Sequence, residues 1–140
     1  MELWELEARE AIRTLISRYA HCADTGRFDA LVELFAEDGT LEIEGREPLR
    51  GRDLIRQFLG ATKKARAAST ARPLIRHHVT SVDVDVRSRE EATASSYFFV
   101  ITERGPDHWG RYRDQLVHAG GQWRFRQRKV RLDGRRPRDE

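Results

Sequence analysis

The sequence predicts an α+β fold, in which three N-terminal helices pack against a strongly curved, mostly antiparallel sheet. Apolar residues recur at three- and four-residue steps before residue 64, as in amphipathic helices. After Pro73 the apolar period changes to two, and four long strand candidates follow with short joins. Helices that precede strands, without regular alternation, indicate α+β.

Length and composition favour one globular domain. The 140 residues suffice for a single core, and 39% hydrophobic residues indicate a folded chain despite 35% charged residues. No apolar run approaches a membrane span, and residues 1–25 are acidic and amphipathic, unlike a signal peptide. We therefore expect a cytoplasmic protein with no membrane partner. The single cysteine, Cys22, excludes an internal disulfide and a multi-cysteine metal site.

The first helix is predicted over residues 5–23. Its apolar stripe comprises Ala8, Ile12, Leu15, Ile16, Tyr19 and Ala23. Tyr19 therefore points inward, where a phenol needs a hydrogen-bond partner. Asp24 follows near the helix C-terminus, where the helix dipole disfavours a carboxylate. From the residues alone, a turn role for Asp24 before Thr25–Gly26 is slightly favoured over a functional one.

Two further helices and one strand are predicted before residue 73. The second helix is short and ends at Asp38–Gly39; its apolar residues are Phe28, Leu31, Leu34 and Phe35. A strand over 40–44 and a loop over 45–51 follow. A third helix is predicted over 52–64, and the polar stretch 63–72 is expected to be a mobile connection that could cover a pocket mouth.

The strand region supplies most of the remaining candidates. Strands are predicted over 74–86, 92–103, 109–118 and 123–132, and Gly120–Gly121 is a strong hairpin signal. In the first of these strands Val82, Val84 and Val86 share one parity, whereas Ile75 and Val79 share the other. The two sets can be buried together only if a bulge lies near Thr80–Ser81.

That bulge makes His77 an inward residue and leaves His78 facing solvent. A buried histidine is often a satisfied core residue, so the spacing leaves both a structural and a catalytic role open for His77. In the third strand Tyr112 and Asp114 share the apolar face, and an ion pair with the last strand is the favoured interpretation of Asp114. In the last strand Arg131 shares the parity of Trp123 and Phe125, which makes it an inward cation for a substrate oxygen or for a carboxylate.

A concave sheet closed by helices would enclose an apolar pocket with a few polar groups. We expect Phe58, Phe98, Trp109 and Tyr112 among its lining residues, with Asp114 and Arg131 as polar substrate contacts. The sequence lacks a Gly-rich phosphate loop, a zincin motif, a nucleophile elbow and facial-triad spacing. We therefore expect chemistry without a cofactor or metal.

The segment from Arg124 to Arg138 is strongly basic. It is either an anion- or nucleic-acid-binding patch or a solvated strand face. Because Trp123 and Phe125 interleave with the arginines as core residues would, we expect no nucleic-acid partner. We expect the domain to span 1–133, followed by a basic, disordered tail over 134–140.

The segment Arg18–Gly39, with the sequence RYAHCADTGRFDALVELFAEDG, resembles the opening of SnoaL-like members of the nuclear transport factor 2-like superfamily. The resemblance continues through Arg50–Asp53, Arg76–His78, Gly110–Asp114 and Gly121–Phe125, so it covers nearly the whole chain. It implies a cone-shaped α+β barrel and a homodimer that pairs through the outer face of the sheet.

Within the superfamily the chain is most similar to the scytalone dehydratase and bile-acid dehydratase branch. The resemblance implies catalytic roles for Tyr19, Asp24 and His77, and a substrate contact for Arg131 near the end of the last strand. One departure is that the bile-acid enzymes carry a further catalytic Asp at the position that Val100 occupies here.

The resemblance implies a cofactor-independent, dehydratase-type lyase that acts on a small cyclic ketone or hydroxy-carbonyl compound through an Asp24–His77 dyad. Two alternatives stay open. The same residues could catalyse an isomerisation or a polyketide cyclisation. Alternatively, the fold could serve as a non-catalytic ligand-binding or assembly module.

Overall fold

The computed structural model describes residues 1–137. Three helices and six strands make up the domain. The helices are α1 (Leu3–Thr25), α2 (Phe28–Val32) and α3 (Arg52–Ser69). The strands are β1 (Phe35–Ile43), β2 (Leu49–Arg50), β3 (Ile75–Val86), β4 (Glu91–Thr102), β5 (Gly105–Ala119) and β6 (Gln122–Arg135).

The six strands form one curved, unclosed sheet in the order β2-β1-β6-β5-β4-β3. All neighbours are antiparallel except β1 and β6, which are parallel. The predicted α+β class, with helices against a mostly antiparallel sheet, is confirmed. The predicted hairpin between the last two strands is also present, and its Gly120 and Gly121 both have the positive φ that a two-residue turn requires.

Helix α1 lies against β3, one of the two edge strands of the sheet. The apolar stripe predicted on this helix is buried in the core, including Ile12, Ile16 and Tyr19. Two arginines of the helix also bind backbone carbonyls of the strand: Arg9 donates to Val84 O at 2.8 Å and Arg13 donates to Val82 O at 3.1 Å. The helix therefore covers an edge that would otherwise expose free backbone groups.

The bulge predicted in β3 is confirmed. The register with β4 shifts between Thr80 and Asp83, and Ser81 at that point has a φ of 53°. Before the shift His77 is half-buried on the inner face and His78 is exposed; after it Val84 is buried. The apolar parity alone therefore assigned the correct histidine to the inside.

A second bulge, in β6, was not predicted. Leu116 pairs with Phe125 and Gln115 pairs with Gln127, so Arg126 is the extra residue. The bulge reverses the parity of the strand, and Arg128 rather than Arg131 faces inward. Arg128 is completely buried, whereas the side chain of Arg131 is exposed.

Several element boundaries differ from the prediction: β1 and β5 begin earlier than predicted, and the short strand β2 lies within the predicted loop over 45–51. The second helix is shorter because Phe35 already belongs to β1, where it is buried beside Phe125 of β6. Helix α3 continues to Ser69, since its Ala-, Lys- and Arg-rich end is a good helix former rather than a mobile connection. Strand β6 continues past residue 133, because Gly134 and Arg135 pair with β5. Of the expected tail, residues 138–140 lie outside the described residues.

Across residues 1–137, every helix is too short or too polar to cross a membrane.

Candidate active site

Asp24 and His77 are in direct contact. The Nδ1 atom of His77 lies 2.6 Å from Oδ1 of Asp24, and the side chains are 15% and 10% exposed. Because a carboxylate only accepts hydrogen bonds, Nδ1 of His77 is the donor to Asp24, and in the neutral form of the imidazole Nε2 then has the free lone pair. The backbone N–H of His77 also donates to both carboxylate oxygens, at 3.0 and 3.1 Å.

The local sequence explains why this pair forms. Gly26 ends α1 with a φ of 72°, and its N–H donates to the carbonyl of Cys22. This left-handed residue closes the last helical turn and leaves Asp24 on the side of β3. The bulge after Thr80 brings His77 to the inner face. The carboxylate at the unfavourable end of the helix dipole therefore faces an imidazole and a backbone donor.

His77 opens into a cavity of about 640 Å³ between the helices and the concave face of the sheet. This volume suits a small organic molecule of one to a few rings. Of the predicted lining residues, Phe58, Phe98 and Tyr112 line the cavity, together with Tyr19. Its other apolar lining residues are Ala23, Phe28, Leu41, Ile43, Leu59, Ile75, Val130 and Leu132.

Tyr19 and Tyr112 supply two phenols to this cavity. Their rings meet edge to face with centroids 6.1 Å apart, and Tyr112 also stacks on Phe98 at 4.5 Å. Burial raises the pKa of both phenols, and Arg128 acts in the opposite direction on each. The Asp24 carboxylate contributes to the raised pKa of Tyr112. Both hydroxyl groups therefore stay protonated and available as hydrogen-bond donors near neutral pH.

A completely buried ion pair lies beneath the tyrosines. Arg128 donates from Nε to Oδ1 of Asp114 at 3.0 Å, and from Nη2 to Oδ2 at 3.4 Å. The guanidinium group stacks on Tyr112 at 3.6 Å and on Tyr19 at 4.2 Å. The ion pair with the last strand that the sequence favoured for Asp114 is therefore confirmed. Its partner is Arg128, and neither residue lines the cavity.

Two predicted substrate contacts lie on the other face of the sheet. Arg131 forms an ion pair with Glu44 at 3.5 Å and is about half exposed, because the β6 bulge reverses the parity on which the prediction relied. Trp109 is 40% exposed and sits over Gly134, on the opposite parity to Tyr112. The predicted inward orientations of Arg131 and Trp109 are therefore wrong.

The sequence analysis missed a second Asp–His pair in the same cavity. His108 Nδ1 lies 2.7 Å from Oδ2 of Asp107, and both residues line the cavity. It also missed the basic lining residues, which occupy exposed or half-exposed positions: Arg46, Lys63, Arg66, Arg135 and Arg136. Asp107 and His108 lie near the start of β5, and Arg135 and Arg136 lie at and just after the end of β6, where charged residues resemble ordinary surface residues. Lys63 and Arg66 lie on α3, in the stretch that was expected to be a connection near a pocket mouth.

A second groove, of about 800 Å³, runs between α1 and the β5–β6 hairpin. It is larger than the cavity and contains His118, whose ring packs at a tilt against Trp123 with centroids 5.1 Å apart, but it contains neither Asp24 nor His77. We assign the functional site to the smaller cavity because the convergent acid–base groups lie there.

Over residues 4–129 the chain matches the model of the SnoaL-like domain, and it belongs to that family. A search of curated proteins gives no match.

Solved structures agree with this assignment. The chain is similar to a candidate scytalone dehydratase from Novosphingobium aromaticivorans, at 25% identity and a TM-score of 0.83 over 96% of this chain and 89% of that chain. It is also similar to an NTF2-like protein with a cystatin-like fold from the same organism, at 31% identity and a TM-score of 0.80 over 92% and 84%. A protein of unknown function from Mycobacterium tuberculosis shares 28% identity and a TM-score of 0.80 over 92% and 73%.

Proposed function

We propose that this protein is a dehydratase-type lyase that removes water from a small cyclic β-hydroxy ketone. The observation that carries the proposal is the contact between Asp24 and Nδ1 of His77 at the wall of the cavity. A carboxylate that holds one imidazole nitrogen leaves the other as a general base, as proton abstraction next to a carbonyl requires.

In the proposed reaction Nε2 of His77 removes the proton on the carbon next to the carbonyl. The electron pair of that C–H bond forms an enolate, whose oxygen accepts a hydrogen bond from the phenol of Tyr19 or Tyr112. The enolate then expels the β-hydroxyl group, which leaves as water once it is protonated. Asp24 orients the imidazole throughout and stabilises its cationic form.

The cavity supports a cyclic substrate with a polar substituent. Its volume and its aromatic walls, Phe28, Phe58 and Phe98, suit a flat ring system. The basic residues along its lining favour an electron-rich or anionic group at the rim. The resemblance of the fold to a candidate scytalone dehydratase agrees with this reaction class.

Replacement of His77 by glutamine tests the proposal. With 3-hydroxy-1-tetralone as the probe, we expect the wild type to release water and form 1-naphthol, and His77→Gln to lower kcat by about 10³-fold because the base is lost. His78→Gln is the matched control, since His78 is the next residue but stacks on Phe99 outside the cavity. Circular dichroism checks that both variants fold.

Turnover by His77→Gln equal to that of the wild type would overturn the assignment. Mass spectrometry of the product separates the alternatives. A product lighter by one water mass supports the lyase, whereas a product of unchanged mass supports an isomerase or cyclase. If the probe binds without any change that depends on His77, the protein is a binding module.

Homodimerisation remains a prediction. The outer face of the sheet carries a row of exposed rings, His78, Phe99 and Trp109, which are neighbours across β3, β4 and β5. Light scattering coupled to gel filtration, on the wild type and on Trp109→Lys, measures whether this face holds two copies together.

A further inference from the structure

A row of residues crosses the floor of the cavity from one histidine to another. His77 of β3 pairs with Val100 of β4, and Val100 pairs with His108 of β5. Residues directly opposite one another in a sheet share a face, so both histidines project toward the same concave side. Strands are separated by about 4.8 Å, which places the two histidine Cα atoms roughly 10 Å apart. This spacing allows one small substrate to contact both side chains.

Val100, the residue between them, is fully buried and has no ionisable group. Among the described residues, His77 and His108 are the only histidines that line this cavity. The ring of His108 also meets the ring of Phe98 edge to face, with centroids 6.1 Å apart. Since Phe98 itself lines the cavity, a flat substrate stacked there would lie within reach of His108.

A bulge in β5 creates the pair that His108 forms with Asp107. Val100 pairs with His108 while Ile101 pairs with Pro106, so Asp107 is the extra residue. Adjacent residues of a regular strand point to opposite faces, but the bulge lets the Asp107 carboxylate reach Nδ1 of its neighbour at 2.7 Å. The carbonyl of Asp107 accepts a hydrogen bond from the backbone N–H of Arg136 at 2.7 Å, which fixes the bulge against the end of the chain.

The two pairs differ in exposure. In the Asp24–His77 pair the side chains are 10% and 15% exposed, whereas in the Asp107–His108 pair they are 42% and 30% exposed. The deeper pair suits abstraction of a proton from carbon, where water must be kept away. The outer pair suits protonation of a leaving group, because it can regain its proton from solvent.

We propose that His108 is the general acid of the reaction and that Asp107 is its positioning residue, an inference that rests on the proposed function. Asp107 holds Nδ1–H, and Nε2–H of the cationic ring faces the substrate. When the enolate re-forms its carbonyl group, the C–O bond breaks and its electron pair stays on the oxygen. That oxygen takes the proton of His108 and leaves as water. His77 then loses a proton to solvent and His108 gains one, which restores both residues.

The charges around His108 agree with this assignment. Arg135 pairs with His108 across β5 and β6, and Arg136 also lines the cavity. Asp107 places a carboxylate at hydrogen-bond distance from the imidazole. The leaving hydroxide would also be attracted to this basic end of the cavity.

Two probes separate the two histidines. Exchange of the C2 protons of 1-tetralone in deuterium oxide, followed by NMR, measures proton abstraction alone because this ketone has no hydroxyl group to lose. Conversion of 3-hydroxy-1-tetralone to 1-naphthol measures abstraction and water loss together. We expect His108→Gln to keep exchange within about twofold of the wild type and to lower naphthol formation by about 10²-fold.

Asp107→Asn should lower naphthol formation by roughly tenfold and leave exchange unchanged, because it disturbs only the orientation of the acid. His118→Gln is the matched control, since His118 lies on the same strand β5 but lines the other groove. Retained exchange in His108→Gln also shows that the variant is folded.

Equal loss of both reactions in His108→Gln, or of neither, would overturn the role of His108. If His77→Gln keeps both reactions, or if the wild type performs neither, the proposed function itself is wrong. The assignment of His108 as the general acid is then wrong as well. If His77→Gln loses both while His108→Gln loses only water release, both assignments stand.

Discussion

Two aspartates, Asp24 and Asp114, each hold a basic side chain of another element, and the two pairs serve different purposes. Asp24 and His77 connect α1 to β3, and His77 lines the cavity. Asp114 and Arg128 connect β5 to β6 and are completely shielded from solvent. An arginine carries its charge permanently, whereas an imidazole can exchange a proton near neutral pH. The open pair therefore has chemistry available to it, and the closed pair can only hold the tyrosines above it.

The contrast shows that burial is a poor guide to catalysis. The two most completely buried charged residues turn out to be structural: Asp114, which the sequence placed inward, is 3% exposed, and Arg128, which it placed outward, is 0% exposed. A group that reacts must reach a substrate, so the pair that retains some exposure at a cavity wall is the stronger candidate.

Asp24→Asn should produce the largest difference between the two pairs. We expect kcat for 3-hydroxy-1-tetralone to fall by about 10³-fold, because asparagine does not hold the imidazole in the productive tautomer. The free energy of unfolding should change by less than about 1 kcal/mol, since the amide oxygen still accepts the backbone N–H of His77. Kinetics and urea unfolding measure the two effects.

Asp83→Asn, at an exposed position of β3, is the control for Asp24→Asn. A loss of stability without a loss of rate in Asp24→Asn would show that Asp24 has only a structural role.

Arg128→Met should show the opposite behaviour. Removal of the cation leaves the Asp114 carboxylate buried without a partner, and we expect a loss of about 3–5 kcal/mol in the free energy of unfolding. The double variant Arg128→Met/Asp114→Val should regain at least half of this loss, because no buried charge remains. Urea unfolding checks both.

Arg131→Met, on the exposed face of the same strand, is the control and should lower the free energy of unfolding far less. An equal loss in Arg131→Met would show that the buried pair has no special role in stability.

The buried Asp114–Arg128 pair should also make the stability of the protein depend on pH, and this effect is smaller than the two above. Burial raises the pKa of Asp114 from 3.8 to about 6, against the lowering effect of Arg128. Because the folded-state pKa is the higher one, this residue stabilises the fold fully below pH 3.8, and the contribution is lost as the pH rises through about 6.

The free energy of unfolding of the wild type, minus that of Asp114→Asn, should therefore be greater near pH 4 than near pH 8 by about 2–3 kcal/mol. Asparagine does not titrate, so the subtraction isolates Asp114. A difference that stays constant between the two pH values would show that the carboxylate keeps its ordinary pKa in the folded protein.

Parity arguments predicted the site where the strand was apolar and failed where it was charged. In β3 the valines after the bulge and Ile75 and Val79 before it disagree in parity, which revealed the bulge and selected His77 over His78. The same comparison of parities, applied to β6, would indicate its bulge as well, because Val130 and Leu132 share the parity of Arg128 rather than that of Phe125. Three alternate arginines obscured it, since an arginine gives no sign of which face is buried.

Contacts between distant elements were harder to predict. The residues alone placed His77 on an inner face but favoured a turn role for Asp24, and only the resemblance implied that these residues, 53 positions apart, form a pair. For Asp107 no local pattern announced the bulge, since Gly105 and Pro106 indicate only a turn. Only the pairing of Val100 with His108, and of Ile101 with Pro106, reveals it.

The hydrogen bonds from the backbone of His77 to Asp24 have a consequence for how relatives of this protein should be compared. Strand β3 is the last strand of the sheet, and an unoccupied N–H at that position could pair with a strand from another molecule. By accepting the backbone N–H of His77, Asp24 thus prevents intermolecular β-pairing at this position, independently of any catalytic role of the imidazole. A relative that lost its activity would still benefit from this carboxylate, so an aspartate here is no proof of an enzyme. The histidine is the residue to look for.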